Sequence, residues 1–184
     1  SEIIKINFYF SSFDVTMQVM IITYFGKQFF IFFHGDLVLS FNPVNKSSKT
    51  GINTHFGADI ALVTTNHSDY NGIDQLSHGD RSPFAITGPG DYEIKKIFIK
   101  GVLSNANIGG KKYINTIYTF LMDNINIVFL GALADIEFSK ETREVLGSPD
   151  IIFVPIGGKD VRDAKSASKL ALSLAPKMII PMDY

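Results

Sequence analysis

The chain has 184 residues, 46% of them hydrophobic, and its 17 Lys and Arg against 18 Asp and Glu give a formal charge of -1. This composition is typical of a compact domain with a hydrophobic core, and without a basic excess we expect no nucleic-acid partner. The absence of cysteine excludes disulfides, thiolate zinc ligands and cysteine nucleophiles, so any metal site must use His and carboxylate ligands.

The most apolar stretch, residues 19–33, is interrupted by Gly26, Lys27 and Gln28. Each side is too short to cross a bilayer, which takes about 20 apolar residues, and we predict two strands joined by a tight turn. The N-terminal residues lack the basic start and the apolar centre of a secretory signal. We therefore expect a cytoplasmic protein with no membrane partner.

Short runs of β-branched and aromatic residues dominate the first two thirds of the chain and predict a sheet-rich region. Polar segments at residues 41–57 and 104–112 predict loops between these runs. In chain order the predicted strands are residues 3–10, 20–25, 29–33, 37–41, 60–64, 84–86, 97–101, 115–122 and 125–130.

The last third of the chain has a different pattern. Residues 139–146 predict a short helix with Ser139 at its N-cap and Gly147 at its end. An unbroken apolar strand follows from residue 150, which predicts burial on both faces. Apolar residues at three-to-four spacing over residues 161–174 predict a second helix before a strand at residues 177–182. Such a strand–helix–strand unit predicts two parallel strands.

One polar segment directly follows a predicted buried strand: residues 64–70, with the sequence TTNHSDY. His67 and Asp69 are residue types that bind zinc, but they converge on one ion only where the loop curls around it. The alternative is a polar turn in which Asp69 accepts local backbone N–H groups, and taken alone the segment favours that turn.

Other motifs carry less chemistry. His34, His55 and His78 have no partner at metal-ligand spacing, so we interpret them as turn and loop residues. The glycines of residues 88–90 and 157–158 predict turns in preference to anion sites. The sequence has no Gly-x-Ser-x-Gly motif and no glycine-rich nucleotide loop, so neither serine catalysis nor phosphoryl transfer is indicated.

Four segments, taken together and in order, resemble the metallo-β-lactamase superfamily. The similarity is to its branch of small zinc-dependent hydrolases that includes the ascorbate-6-phosphate lactonase-like proteins. The segments are ADIALVTTNHSDYNGID, FAITGPGDYEIKKIFIKGV, NTIYTFLMDNINIVFLGALAD and residues 150–184.

The resemblance implies an α/β fold, an αββα sandwich, over residues 20–184, with a metal site along one edge. It also implies a final helix after the last strand, which this sequence does not contain. Residues 1–19 lie outside the resemblance, and we predict that this N-terminal extension adds an edge strand.

The resemblance further implies two metal ions, and this sequence departs from most of the ligand positions. The family would supply histidines, aspartates and one bridging carboxylate. Here the positions of the first metal hold Thr65, His67 and Ala106, those of the second hold Asp69, Tyr70 and Asp183, and the bridging position holds Ala132.

Three hypotheses follow from these departures. The first is a non-catalytic pseudoenzyme, a scaffold that binds an unknown small molecule or protein and needs no cofactor. The second is a hydrolase with zinc or another divalent metal at His67, Asp69 and Asp183, in which Asp69 is the catalytic base. The third is a homo-oligomer whose neighbouring copy supplies missing groups.

Overall fold

The computed structural model describes residues 4–9, 19–52, 55–80, 82–157, 161 and 163–184. The chain divides into two compact units. The first comprises Ser1–Val63 and His67–Ile86, and the second comprises Thr64–Asn66 and Thr87–Tyr184. Each unit contains one six-stranded sheet.

The first unit is formed around a sheet whose strands follow chain order. The first four strands pair antiparallel, and the last two add in parallel. The strands are β1 (Ile4–Tyr9), β2 (Val19–Gly26), β3 (Phe29–His34), β4 (Leu37–Phe41), β5 (Ile60–Leu62) and β6 (Phe84–Ile86), and a 3₁₀ helix spans Ile73–Leu76.

The predicted tight turn in the most apolar stretch is confirmed. Strands β2 and β3 form a hairpin around Lys27 and Gln28, and both Gly26 and Lys27 have positive φ angles, 112° and 55°. The side chains of β3 and β5 then enter the core of the first unit, where Phe29, Ile31 and Ala61 pack in one hydrophobic cluster. The alternating and unbroken apolar patterns of these strands explain that burial.

The second unit has the remaining strands and both α-helices of the described chain. Strand order across its sheet runs from β12 to β7, with β10, β11 and β12 parallel and the others antiparallel. The elements are β7 (Gly90–Ile94), β8 (Ile97–Ile108), β9 (Lys111–Met122), β10 (Ile125–Phe129), α1 (Lys140–Leu146), β11 (Ile151–Pro155), α2 (Ala164–Leu172) and β12 (Met178–Met182).

Both predicted helices form, and each begins at a capping residue. The Ser139 hydroxyl accepts a hydrogen bond from the N–H of Thr142 at the start of α1. At the start of α2 the Asp163 carboxylate accepts from the N–H groups of Lys165 and Ser166. These bonds satisfy backbone donors that the first helical turn leaves unpaired.

The predicted strand–helix–strand unit is also confirmed. Strands β11 and β12 pair in parallel, and every residue of β11 is buried. Leu146 of α1 and Ala167 and Leu170 of α2 join Ile152 and Val154 of β11 in one hydrophobic cluster. The helices therefore cover one face of this sheet and bury the apolar stripes that their sequences predict.

The loop predicted at residues 104–112 is wrong. Residues 104–108 continue β8, only Gly109 and Gly110 form a turn, and β9 begins at Lys111. Buried and exposed residues alternate from Ser104 to Ile108, but the buried positions include the polar Ser104 and the small Ala106. Because Ser104 and Ala106 are not large apolar residues, the sequence does not show the alternation of apolar and polar residues that is typical of a strand.

Three further expectations concern the N-terminal extension and the limits of the predicted elements. Strand β1 pairs with β2 at the edge of the first sheet. The division into an extension of residues 1–19 and a domain of residues 20–184 stays a prediction. Ile3, Phe10 and Gly158, which the predicted elements included, lie outside the described residues.

Candidate functional site

The polar segment of residues 64–70 is shared between the two units. Thr64, Thr65 and Asn66 belong to the second unit, and residues 67–70 belong to the first. The positions that the family resemblance assigns to metal ligands are therefore described one unit at a time. His67, Asp69 and Tyr70 lie in the first unit, and Thr65, Ala106, Ala132 and Asp183 lie in the second.

In the first unit, His67 and Asp69 lie side by side in a tight turn. The Nδ1 atom of His67 is 3.9 Å from Oδ2 of Asp69, and it accepts the N–H of Asp69 at 3.3 Å. The turn is closed by a hydrogen bond from the N–H of Tyr70 to the carbonyl of His67. Both side chains are partly exposed, 25% for His67 and 19% for Asp69.

The loop after β4 holds this turn in place. The Ser48 hydroxyl donates to Oδ1 of Asp69 at 2.6 Å, and the N–H of Asn45 donates to the carbonyl of Ser68 at 2.9 Å. At Gly72 a Cβ atom would overlap the backbone of Val44, so this close approach requires glycine. One oxygen of Asp69 is therefore bound within the protein, and the other lies near the imidazole of His67.

Tyr70 is a core residue. Its side chain is only 1% exposed, and its ring centroid lies 5.9 Å from that of His67. The family resemblance implies a metal ligand at this position. Here the phenol of Tyr70 packs in the core of the first unit instead. The side chains of His67 and Asp69 are thus the two ligand-type groups that the structure brings together in the first unit.

In the second unit, the side chain of Asn115 in β9 connects three segments: the one containing Thr65, the end of β8, and the loop after β10. Its side-chain carbonyl accepts from the Thr65 hydroxyl at 2.9 Å and from the N–H of Ala132 at 3.0 Å. Its amide group donates to the Ser104 hydroxyl at 2.8 Å and to the carbonyl of Leu130 at 2.9 Å. The Asn115 side chain is fully buried, so all four of its hydrogen-bonding positions are filled inside the protein.

The backbone reinforces this Asn115 network. Thr65 forms an isolated antiparallel bridge with Asn115, and the N–H of Thr116 donates to the carbonyl of Thr64 at 2.8 Å. Gly131 has a φ of 63°, and a Cβ atom there would lie 2.5 Å from Oδ1 of Asn115. Glycine is required at this point because the chain turns close against the network.

The other three assigned positions in the second unit are occupied by two alanines and an aspartate. Ala106 and Ala132 are both buried and have no side-chain ligand atom. Asp183 follows β12 with a positive φ of 57° and is 6% exposed. Its backbone carbonyl lies against Gly157, where any Cβ atom would overlap it.

Asp135, a further carboxylate in the loop after β10, is also held by hydrogen bonds. It accepts from the backbone N–H of Asn105 at 3.0 Å and from the Asn105 side-chain amide at 2.9 Å. The neighbouring Leu133 forms a bridge with Ala106, so this loop runs along the end of β8.

The side chains at the seven family positions do not fit the pair of zinc ions that the resemblance implies. In the second unit two positions hold alanine, and the Thr65 hydroxyl is bound to Asn115. Among the residues that the structure describes, no three His, Asp or Glu side chains are grouped as a metal ion would require. A catalytic zinc site needs about three such ligands.

Tyr118, close to the Asn115 network along β9, is not a candidate base. Its side chain is fully buried, and burial raises the pKa of its hydroxyl well above the usual value. A phenol with a raised pKa stays protonated at neutral pH and cannot accept a proton from water.

The Asn115 network was missed in the sequence. In the sequence, Asn115 is the first residue of a predicted strand, and a single asparagine gives no sign of its four partners. The nearest signal is the polar character of Ser104 and Asn115, which occupy buried positions facing each other in two paired strands. Buried polar residues in strands indicate a satisfied hydrogen-bond network.

Solved structures with the same fold define the class of protein. A Thermotoga maritima protein, assigned to the zinc-dependent hydrolases of the metallo-β-lactamase superfamily, is 26% identical with a TM-score of 0.68, over 89% of this chain and 75% of that chain. A Parabacteroides distasonis protein, assigned as a metal-dependent hydrolase, is 18% identical with a TM-score of 0.70, over 98% and 89% of the two chains. A metallo hydrolase from Ignicoccus hospitalis is 18% identical with a TM-score of 0.64, over 89% and 82%. The class is that of metallo-β-lactamase-type α/β folds.

The sequence family gives the same assignment. The model of the beta-lactamase superfamily domain matches residues 21–183. The chain therefore belongs to the beta-lactamase superfamily, which confirms the predicted family and fold class. No curated protein gives a significant match. Within the described part of the chain, no helix combines the length and the apolar character that crossing a membrane requires.

Proposed function

We propose that this protein is a non-catalytic member of the metallo-β-lactamase superfamily whose fold serves to bind a small molecule or a protein. The observation that carries the proposal is the Asn115 network. The side chain of Asn115 binds the Thr65 hydroxyl and the N–H of Ala132, at two of the positions where the family would present metal ligands.

The free energies of the interactions involved favour this proposal over a zinc site built from these residues. Each buried hydrogen bond of Asn115 that a metal displaced would leave a polar group unpaired, at a cost of about 1–3 kcal/mol. A single imidazole in partial contact with water gives little binding energy in return, because tight zinc sites depend on several preorganised ligands. The family's zinc chemistry needs a metal-bound water whose pKa is lowered from near 16 to about 7. The side chains at the family's ligand positions in this chain do not provide the ligands that would hold such a metal.

A metal-dependent hydrolase with a reduced site is the second candidate. The observation that favours it is the adjacency of His67 and Asp69 in a partly exposed turn of the first unit. In this alternative Asp183 completes the ligand set, Asp69 acts as general base, and zinc or another divalent cation is the cofactor. The proposal of a homo-oligomer, in which a second copy supplies missing groups, applies to either candidate.

Partners and location are proposed on composition alone. The formal charge of -1 supports a partner other than nucleic acid, and the absence of cysteine is compatible with the cytoplasm. A small polar molecule or another protein is the proposed partner.

Calorimetric titration with Zn²⁺ tests the proposal and separates the two candidates. We expect weak binding that His67→Ala and Asp69→Ala change by no more than about twofold, a change of about 0.4 kcal/mol. Ser48→Ala is the matched control, because it removes the hydrogen bond to Asp69 without removing a ligand. Tight binding that both ligand variants abolish and the control retains would support the reduced-site hydrolase and contradict the proposal.

A further inference from the structure

A cavity of about 460 Å³ lies within the second unit, between the end of β8 and the start of α1. Its size is in the range of small-molecule sites, about 300–1,000 Å³. Four segments form it: β8, β9, the loop after β10, and the first turn of α1 with its N-cap. The lining residues are Leu103, Ser104, Asn105, Ile117, Leu133, Asp135, Ile136, Glu137, Phe138, Ser139 and Thr142.

The walls of the cavity combine apolar side chains with uncharged polar ones, and its charged groups are both acidic. Leu133 and Phe138 are buried on the side of the helices, whereas Leu103 and Ile136 are 62% and 81% exposed at the opening. The charged side chains of the lining are those of Asp135 and Glu137. A ligand that is complementary to this lining has an apolar body and one positive charge.

The two carboxylates differ in how they are held. Asp135 is fixed by two hydrogen bonds from Asn105, so its position is set before any ligand binds. Glu137 is exposed, and within the described residues no side chain forms an ion pair or hydrogen bond with it. It is free to pair with a charged group of the ligand.

Nearby cations lie in a separate cavity. Arg143 and Lys169 line a second space of about 380 Å³, which shares Ile136 and Glu137 with the first. The guanidinium of Arg143 donates to the backbone carbonyls of Phe138 and Ser173. Arg143 is therefore engaged with the helices and does not line the first cavity.

We propose that the cavity between β8 and α1 binds a small organic cation: an amine with an apolar body, whose ammonium group pairs with Glu137 and Asp135. The inference rests on the proposal that this fold serves binding, and it names the class of ligand. It uses residues that are separate from the seven family ligand positions.

The test is a titration of metal-free protein with hexylamine, followed by amide chemical shifts in NMR spectra. For a fragment of this size we expect a dissociation constant of about 1 mM, with the largest shifts at Leu103, Asn105 and Thr142. Hexanol, of the same length without the charge, should bind roughly tenfold more weakly, and hexanoate should not bind.

Two variants with matched controls locate the binding groups. Glu137→Gln should weaken hexylamine binding by roughly three- to tenfold and leave hexanol unchanged, whereas Glu144→Gln, the same charge change on α1 outside the cavity, should have no effect. Ile136→Ser should weaken both ligands, and Leu172→Ser, at an apolar residue of α2 that is also exposed, should weaken neither.

Equal binding of hexylamine and hexanol, or an unchanged affinity in Glu137→Gln, would overturn the inference. Shifts confined to residues outside the cavity would also overturn it. These outcomes leave the proposed non-catalytic function standing, because that proposal fails only if the chain binds metal tightly. The two failures are therefore distinguishable.

Discussion

Asn115 shows how one buried amide can connect three segments of the second unit. Its side chain has two acceptor and two donor positions, and each is filled by a group from a different residue. A buried polar network of this kind is stabilising only when every member is satisfied. The loss of one side chain would therefore leave several partners unpaired at once.

We predict that Asn115→Ala lowers the free energy of unfolding by about 3 kcal/mol or more, since four buried groups lose their partner. Urea denaturation followed by circular dichroism measures this change. Asn107→Ala is the control, because Asn107 lies on the same strand pair but is exposed, and we expect a change within about 0.5 kcal/mol. Equal effects of the two substitutions would contradict the network.

A second prediction at the residue scale concerns Gly131. Gly131 and Gly109 have similar positive φ angles, 63° and 57°, but a Cβ atom at Gly131 would lie 2.5 Å from Oδ1 of Asn115, whereas nothing lies within 4 Å at Gly109. Gly109→Ala should cost about 1 kcal/mol through backbone strain alone.

Gly131→Ala should cost about 2 kcal/mol more than Gly109→Ala, because the added methyl group overlaps the network as well. Thermal unfolding of the two variants gives the comparison directly. If the two variants lost the same stability, the close approach of Gly131 to Asn115 would be wrong.

Part of the site was predictable at the residue scale. A polar turn was predicted here with Asp69 accepting local backbone N–H groups. The turn forms, but Nδ1 of His67 is the acceptor and the N–H of Asp69 is the donor. The structure shows this turn together with a contact from Ser48, which is distant in sequence. The four partners of Asn115 come from three separate segments, and such contacts depend on the fold and not on local sequence.

At the scale of elements, strong periodicity was informative and small or polar residues were not. The unbroken apolar run of β11 predicted its burial, and Ser139 predicted the start of α1. The end of β8 was missed, because its buried positions hold Ser104 and Ala106. Those residues are buried by long-range contacts, which a short-range apolar pattern does not encode.

Asp150 joins three elements of the second sheet. Its carboxylate accepts from Nζ of Lys177, just before β12, at 2.6 Å and from the N–H of Asn126 in β10 at 2.7 Å. These hydrogen bonds, that of Lys177 first, hold the pKa of the Asp150 carboxyl below its usual value. The folded state thus favours the charged form.

We predict a pH-dependent contribution to stability from Asp150. Because the pKa is depressed, the contribution is present above the ordinary carboxyl pKa of about 3.9 and is lost as pH falls through the folded-state pKa. Asp150→Asn should lose about 1 kcal/mol at pH 7, since the group is partly exposed, and little at pH 2. Urea unfolding of both proteins across this range measures the difference.

Asp36→Asn, in the exposed turn between β3 and β4, is the control for the pH series. It should leave the free energy of unfolding within about 0.5 kcal/mol of the wild type at each pH. A stability difference for Asp150→Asn that is the same at pH 2 and pH 7 would contradict the role assigned to its charge.

At the scale of the whole molecule, the residues that stabilise the fold are largely different from those at the family's metal-ligand positions. Among the described residues, the two hydrophobic clusters named above contain none of the seven positions that the family assigns to metal ligands, although Tyr70, Ala106 and Ala132 are buried elsewhere in the core. Burial of apolar surface provides most of the stability of a domain, so ligand residues can change without loss of the fold. This is consistent with a sequence that predicts the family while most positions that the resemblance assigns to metal ligands hold other residues.

The metal content of the purified protein tests the central claim most directly. Elemental analysis should follow purification without chelators and then dialysis against zinc or manganese. We expect far less than one ion per chain under both conditions, because the donor set of the second unit does not fit a metal pair. Retention of one ion or more per chain, with its loss in Asp69→Ala, would contradict the non-catalytic proposal and establish a working metal site.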